Sequence, residues 1–221
     1  MQVGNARYIR RDDLPEAVPV FPLPGALLLP QGHLPLNIFE PRYLALFDRA
    51  LSGNRLVGLV QPARVSEGME ISDVTPLAGV GCIGRVTSFA ETGDGRYLTA
   101  LTGVCRFRLM NELRSTNPYR SFEINPFMGD LKSEDEEDSV NRSRLLEVFR
   151  AYLDSEGLEV DWGHIEQASN LVLVNSLAMM APFGAAEKQA LLEAEDLKAR
   201  AELFVAITEF ALAGDPGEKL Q

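Results

Sequence analysis

Cys105 is the one side chain that reads as a candidate nucleophile, with His33 or His164 as the imidazole that would take its proton. Only the residue types support that pairing, and a buried, inert thiol is the simpler reading of a cysteine in an apolar run. Cys82 and Cys105 stand 23 positions apart, without C-x-x-C or metal-ligand spacing. Two cysteines and two histidines, with no carboxylate at suggestive spacing, fall short of a zinc site, so no metal is expected. No G-x-x-x-x-G-K-[ST] loop occurs to cradle phosphates, and no cofactor is expected. The four lysines, Lys132, Lys188, Lys198 and Lys219, fall in an acidic stretch, on helices or at the tail. None stands in an apolar setting that would depress its pKa for general-base work.

Arg106 and Arg108 alternate with Phe107 and Leu109, so one strand face would carry both guanidiniums, an arrangement able to touch nucleic acid. The wider charge argues against it. Residues 1–125 hold 13 Arg and no Lys against 12 acids, whereas residues 126–221 hold 8 basic and 20 acidic side chains. The total of −11 is therefore concentrated in the second half, with Asp130–Asp138 especially acidic. A segment as near neutrality as residues 1–125 lacks the broad positive field that phosphate binding uses, so a nucleic-acid partner is not favoured.

The elements that must position these residues fall into two kinds. Up to residue 125 the pattern is β-rich: Val18–Leu23, Ala26–Leu29 and Leu34–Phe39 are short apolar runs, and six of the 13 prolines lie between Pro19 and Pro41. Proline lacks the ladder donor, which places these strands at edges, bends or barrel corners. Pro41 then opens a helix carrying Tyr43, Leu44, Phe47, Ala50 and Leu51 at helical spacing, stopped by Ser52-Gly53-Asn54. Leu56–Val60 reads as a strand. Cys82–Phe89 and Tyr97–Val104 read as a hairpin through Thr92-Gly93-Asp94-Gly95, Arg106–Leu113 as a third strand and Tyr119–Pro126 as a last one.

After the acidic stretch the period becomes 3.6. Leu145, Val148, Phe149 and Tyr152 share one face, with Gly157 past the helix end. Asp161 is placed to cap a second helix, apolar nearly all round from Leu171 to Met180 and so expected at a buried centre. Pro182-Phe183-Gly184 breaks it, Gly184 and Glu187 begin a third, and Asp196 caps a fourth with Leu197, Ala201, Phe204, Thr208 and Leu212 along one side. The expected class is α+β: a small β-barrel over 1–129 with one inserted helix, an acidic linker over 130–138, and a four-helix bundle over 139–221.

The most specific sequence is Pro19-Val-Phe-Pro-Leu-Pro-Gly25 followed by Leu34-Pro-Leu-Asn-Ile-Phe39-Glu40-Pro-Arg42-Tyr43. With Gly81-Cys-Ile-Gly-Arg85 and Leu101-Thr-Gly103-Val-Cys-Arg106-Phe107, it resembles the Lon N-terminal, substrate-binding domain family. The likeness is nearest to stand-alone bacterial members without ATPase or protease domains. The resemblance runs from about Val18 to about Leu212 and implies a PUA-like β-barrel followed by a helical bundle. It also implies a non-enzymatic polypeptide-recognition module, a candidate adaptor in protein quality control; two cysteines without a disulfide framework fit a reducing, cytoplasmic setting.

Gly25, Gly32 and Gly103 are expected at tight turns or close backbone approaches. Phe39 and Tyr43 have a packing role open to them, anchoring the helix on the barrel. Their functional reading is an apolar groove between the proline-rich strands and this helix, lined by Pro30, Leu34, Phe39, Arg42 and Tyr43, where an extended peptide docks. The alternatives are an RNA-binding PUA-like module using Arg106 and Arg108, and a small-molecule or hydrolase pocket in the barrel. No membrane segment is expected, because the longest apolar stretch, Leu171–Phe183, is interrupted by Asn175 and Ser176 and is shorter than the ~20 residues a span needs. Oligomeric state is left open by the sequence.

Overall fold

The computed structural model describes residues 1–64, 71–132, 140–157 and 168–213. A two-stranded ribbon, β1 (Gln2–Val3) and β2 (Ala6–Arg7), precedes the main sheet. That sheet is built from β3 (Ala17–Pro22), β4 (His33–Ile38), β5 (Leu56–Val60), β6 (Val80–Glu91), β7 (Tyr97–Leu113) and β8 (Ser121–Pro126). Its order is β4-β7-β6-β5-β3-β8, and β8 also pairs with β7. Strands β7, β6, β5, β3 and β8 therefore form a closed circuit of hydrogen-bonded neighbours. All pairings are antiparallel except β3 with β5, which the helix α1 (Pro41–Leu51) helps to connect.

β7 is the spine of this arrangement. Residues 97–102 pair with β4 and residues 107–113 with β8, along the edge of β7 that faces away from β6. Arg106–Leu113 is thus not a separate third strand but the continuation of β7. The second difference is Ala26–Leu29, which is not a strand. Leu27, Leu28 and Leu29 are buried in irregular chain, where the apolar run packs without a ladder. The hairpin turn does fall at residues 92–96, where Gly93 and Gly95 take positive φ and the Thr92 N–H donates to the Arg96 carbonyl.

The space inside the circuit is filled by Val18, Val20, Ile83, Cys105, Phe107 and Phe122. Phe107 fits because its neighbours lack side chains: a Cβ on Gly58 or Gly81 would lie 2.9 or 2.8 Å from its ring. Gly103 meets an even closer approach, since a Cβ there would sit 2.0 Å from the Leu29 carbonyl oxygen. The irregular 26–30 segment can therefore lie directly on β7, with the Gln31 N–H donating to the Gly103 carbonyl.

α1 begins at Pro41, whose missing N–H costs nothing at a first helical position, and buries Tyr43, Leu46, Phe47 and Ala50. Phe21 of β3 makes edge-on contacts with Tyr43 and Phe47, at ring separations of 4.6 and 5.9 Å. The later helices are α2 (Arg142–Glu156), α3 (Asn170–Met180), α4 (Ala185–Glu193) and α5 (Leu197–Ala213). α2 buries Leu145, Val148, Phe149 and Tyr152 and ends at Gly157 in the left-handed conformation. α5 buries Leu197, Ala201, Phe204 and Thr208, and the Asp196 carboxylate accepts from the Ala199 N–H.

α3 is capped by Ser169 among the described residues; the expected cap Asp161 lies outside them, as does His164. Although apolar all round, α3 is not wholly buried, and Met180 is 72% exposed. One apolar core runs from Phe21, Leu28 and Phe47 through Leu145 and Phe149 to Val174 and Phe204, so sheet, α1 and later helices share it. A buried polar chain crosses the same boundary: Asn175 donates to the Pro30 carbonyl and accepts from Arg200, which donates to the Leu191 carbonyl.

Candidate functional site

A groove of about 520 Å³ opens between the end of β3, the end of β4 and the start of α1. The proline pattern shapes one wall. Phe21 and Pro22 end β3 opposite Leu59 and Val60, the Leu23 N–H still donates to the Val60 carbonyl, Pro24 has no N–H to carry the ladder on, and Gly25 turns the chain with φ of +68°. That turn is held from behind: the Gly25 N–H donates to Gln61 Oε1 at 3.1 Å, and Lys188 Nζ donates to the Gly25 carbonyl at 3.0 Å. Ile38, Phe39 and Tyr43 supply the opposite wall, with Ile71 at one side.

Phe39 is 61% exposed, whereas Tyr43 is 6% exposed. Of the two, Tyr43 anchors the helix and Phe39 does not, because Phe39 stands between β4 and α1 where no element among the described residues covers it. An exposed phenylalanine beside an apolar trough is a surface ready to exclude water with a partner. Arg42 forms the polar side. Its guanidinium pairs with Glu40 at 2.8 Å, donates to the Ile71 carbonyl at 2.7 Å, lies 4.0 Å from Asp73, and sits over the Tyr43 ring at 4.6 Å. Burial pushes the Tyr43 phenol above its ordinary pKa, so it stays neutral.

Phe39, Arg42 and Tyr43 converge at this groove, while Pro30 and Leu34 do not line it. Pro30 is buried, its carbonyl accepting from Asn175, and Leu34 packs on the shared core. Phe21, Leu23, Ile38 and Ile71 also belong to the groove; the first three stand in the proline-rich motifs without any spacing that singles them out, and Ile71 is brought in by tertiary folding.

The other chemistry resolves differently. Arg106 is not on an open strand face. It forms a buried pair with Asp130 at 2.8 Å and donates to the carbonyls of Leu192 and Ala194, so it is turned into the protein and away from any phosphate. Arg108 is exposed and shares the Phe127 ring with Arg106. Cys105 is fully buried and its thiol is pushed up to about 12 by burial, then by Asp130, which leaves no thiolate for attack. His33 Nδ1 is engaged by the Thr102 hydroxyl at 2.9 Å. Lys188 departs from the sequence expectation, since partial burial lowers its pKa; its ammonium is spent on the Gly25 carbonyl. Among the described residues, no three His, Cys, Asp or Glu side chains gather as a metal set, and no helix is long and apolar enough to cross a membrane.

A mixed sheet with a strand-to-helix groove and, among the described residues, four following helices defines an α+β protein, and solved Lon N-terminal domains share its fold. The Lon N-terminal domain protein of Xanthomonas campestris superposes with a TM-score of 0.60 at 22% identity, over 86% of this chain and 97% of that one. The N-terminal domain of Mycobacterium avium complex Lon protease does so at 0.63 and 15%, over 87% and 98%. Residues 17–209 match the family described as the ATP-dependent protease La (LON) substrate-binding domain, and the chain belongs to that family.

Lon protease 2 of Myxococcus xanthus is 26% identical over 201 residues, which is 89% of this chain and 24% of that protein. Lon protease of Desulfosudis oleivorans is 36% identical over 110 residues, 49% of this chain and 13% of that one. The chain thus spans about a quarter of the length of the curated relatives it matches end to end. The similarity is to their substrate-binding part.

Proposed function

We propose that this chain is a non-catalytic, cytoplasmic polypeptide-recognition module that acts as an adaptor or competitor in protein quality control, with the groove at Phe39, Arg42 and Tyr43 as its docking site. The carrying observation is Phe39, 61% exposed at the lip of an apolar trough whose floor is fixed by Tyr43 and Phe21. A rigid wall beside an exposed aromatic is the usual make-up of a binding hot spot. Membership of a substrate-binding domain family supports the same class of partner. In this reading the closed strand circuit is a PUA-like barrel over 1–129, residues 130–138 link it to the remainder, and the helices of 139–221 form a bundle that buttresses the groove through Lys188 and Gln61.

The test is fluorescence anisotropy with labelled, reduced and carboxymethylated ribonuclease, which is permanently unfolded, against native ribonuclease. Saturable binding of the unfolded form alone is expected, weakened about tenfold by Phe39→Ser, the loss typical of one hot-spot aromatic. Equal binding by wild type and the variant would remove the groove from the function, and no binding by wild type would remove polypeptide recognition itself.

A further inference from the structure

Among the described residues, strand β4 has one paired edge and one open edge: it sits at the end of the sheet order and its one strand partner there is β7. The register tells which main-chain groups face outward. Gly103 exchanges bonds with Gln31 and Gly32, so its N–H and C=O point toward β4, and by strand alternation those of Leu101, Thr99 and Tyr97 do too. Their partners are Leu34, Leu36 and Ile38, so the alternate residues Pro35 and Asn37 turn their main-chain groups to the open side. Pro35 has no N–H to offer, which blunts that end of the edge against open-ended pairing. Asn37 retains both its N–H and its C=O, and Asn37 also lines the groove.

An open donor–acceptor pair thus lies beside an apolar trough, which is the combination that an added strand requires: main-chain bonds for affinity and a pocket for alternate side chains. The groove also carries a charge preference. Among the described residues the cation lining it is Arg42, which pairs with Glu40 of the lining and lies 4.0 Å from Asp73 just outside it, so two carboxylates stand about one guanidinium. An acidic side chain brought there is repelled by a net negative rim, whereas an apolar or basic one is not.

Resting on the reading of the groove as a polypeptide site, we propose that β4 takes an extended polypeptide as an added strand at Pro35–Asn37, with apolar side chains in the groove and basic or neutral, not acidic, residues flanking them. Pro35 limits the addition to a short register, which suits transient capture.

The probe is a synthetic peptide alternating leucine with serine and ending in lysine on both sides. It is compared with two forms N-methylated at one or the other alternate set of residues, and with a form ending in glutamate. On the wild-type protein, amide hydrogen exchange at Asn37 should slow at least tenfold at saturation. One N-methylated form should bind at least tenfold more weakly while the other binds like the parent, and the glutamate form should also weaken. Peptide binding with Asn37 exchange unchanged, or with both N-methylated forms equal to the parent, would overturn strand addition and leave groove recognition standing. Failure of both this peptide and unfolded ribonuclease to bind would overturn both. Slow Asn37 exchange in the free protein, together with a dimer on sizing, would assign the edge to a second copy and overturn the proposal.

Discussion

Arg106 and Asp130 meet at 2.8 Å inside the protein, with side chains only 5% and 10% exposed. Two further bonds reinforce the contact, from Arg106 Nε and from its backbone N–H, both to Asp130 Oδ2. The pair ties β7 to the short turn Met128–Leu131, and the guanidinium reaches on to the carbonyls that end α4. Asp130, the first residue of the acidic stretch, is consequently a structural counter-ion and not part of a solvated surface.

Removing one partner should be far worse than removing both. Arg106→Ala leaves a buried carboxylate and is expected to cost about 3–5 kcal/mol, while Arg106→Met with Asp130→Leu should recover most of that loss. Urea unfolding of the two singles and the double checks it. A single-variant loss below about 1 kcal/mol, the range of exposed pairs, would mean that the pair is solvated.

The two thiols should be silent in the folded protein. Burial raises both, Cys105 to about 12, and they cannot bridge, because Cys82 and Cys105 belong to the two different cores on opposite faces of the β6–β7 ladder. A thiol reagent at pH 8 is expected to label neither until denaturant is added. Since the folded-state pKa is raised, stability is fully present below the unfolded thiol value of about 8.5 and falls as pH rises toward 12. Cys105→Ala should flatten part of that alkaline slope; rapid labelling of the native protein would contradict the burial.

Gly103 is expected to reject even one methyl group. A Cβ would lie 2.0 Å from the Leu29 carbonyl oxygen, which is backbone and has no rotamer to yield. Gly103→Ala should destabilise by about 3 kcal/mol or more, by the overpacking route. Gly93→Ala, with open space around its Cβ but φ of +79°, should cost only about 1 kcal/mol. Comparable urea midpoints for the two variants would argue against the close approach.

Phe39 and Tyr43 should separate binding from folding. Tyr43→Ala removes a buried ring packed on Phe21 and is expected to cost about 3–5 kcal/mol, whereas Phe39→Ala should stay within about 0.5 kcal/mol. Thermal unfolding of each variant gives the comparison. A large stability loss at Phe39 would restore the anchoring role that its exposure denies.

Much of this was legible in the residue order because it depends on local periodicity. The helix start at Pro41, the buried face Leu145–Tyr152, the Gly157 stop, the Asp196 cap and the turn at 92–96 each follow from backbone sterics and spacing within a few residues. The proline motif likewise announced a groove beside α1, together with Phe39, Arg42 and Tyr43. What the tertiary structure alone decided are matters of which surface is covered. An apolar run looks the same whether a ladder or a bare loop buries it, and Ala26–Leu29 is irregular chain because Gly103, lacking a side chain, admits the Leu29 carbonyl. Strand alternation put Arg106 and Arg108 on one face, but whether that face meets water or Asp130 depends on segments distant in the chain. Even Phe39 and Tyr43, four residues apart, part company because Phe21 arrives to cover one ring, while among the described residues none covers the other.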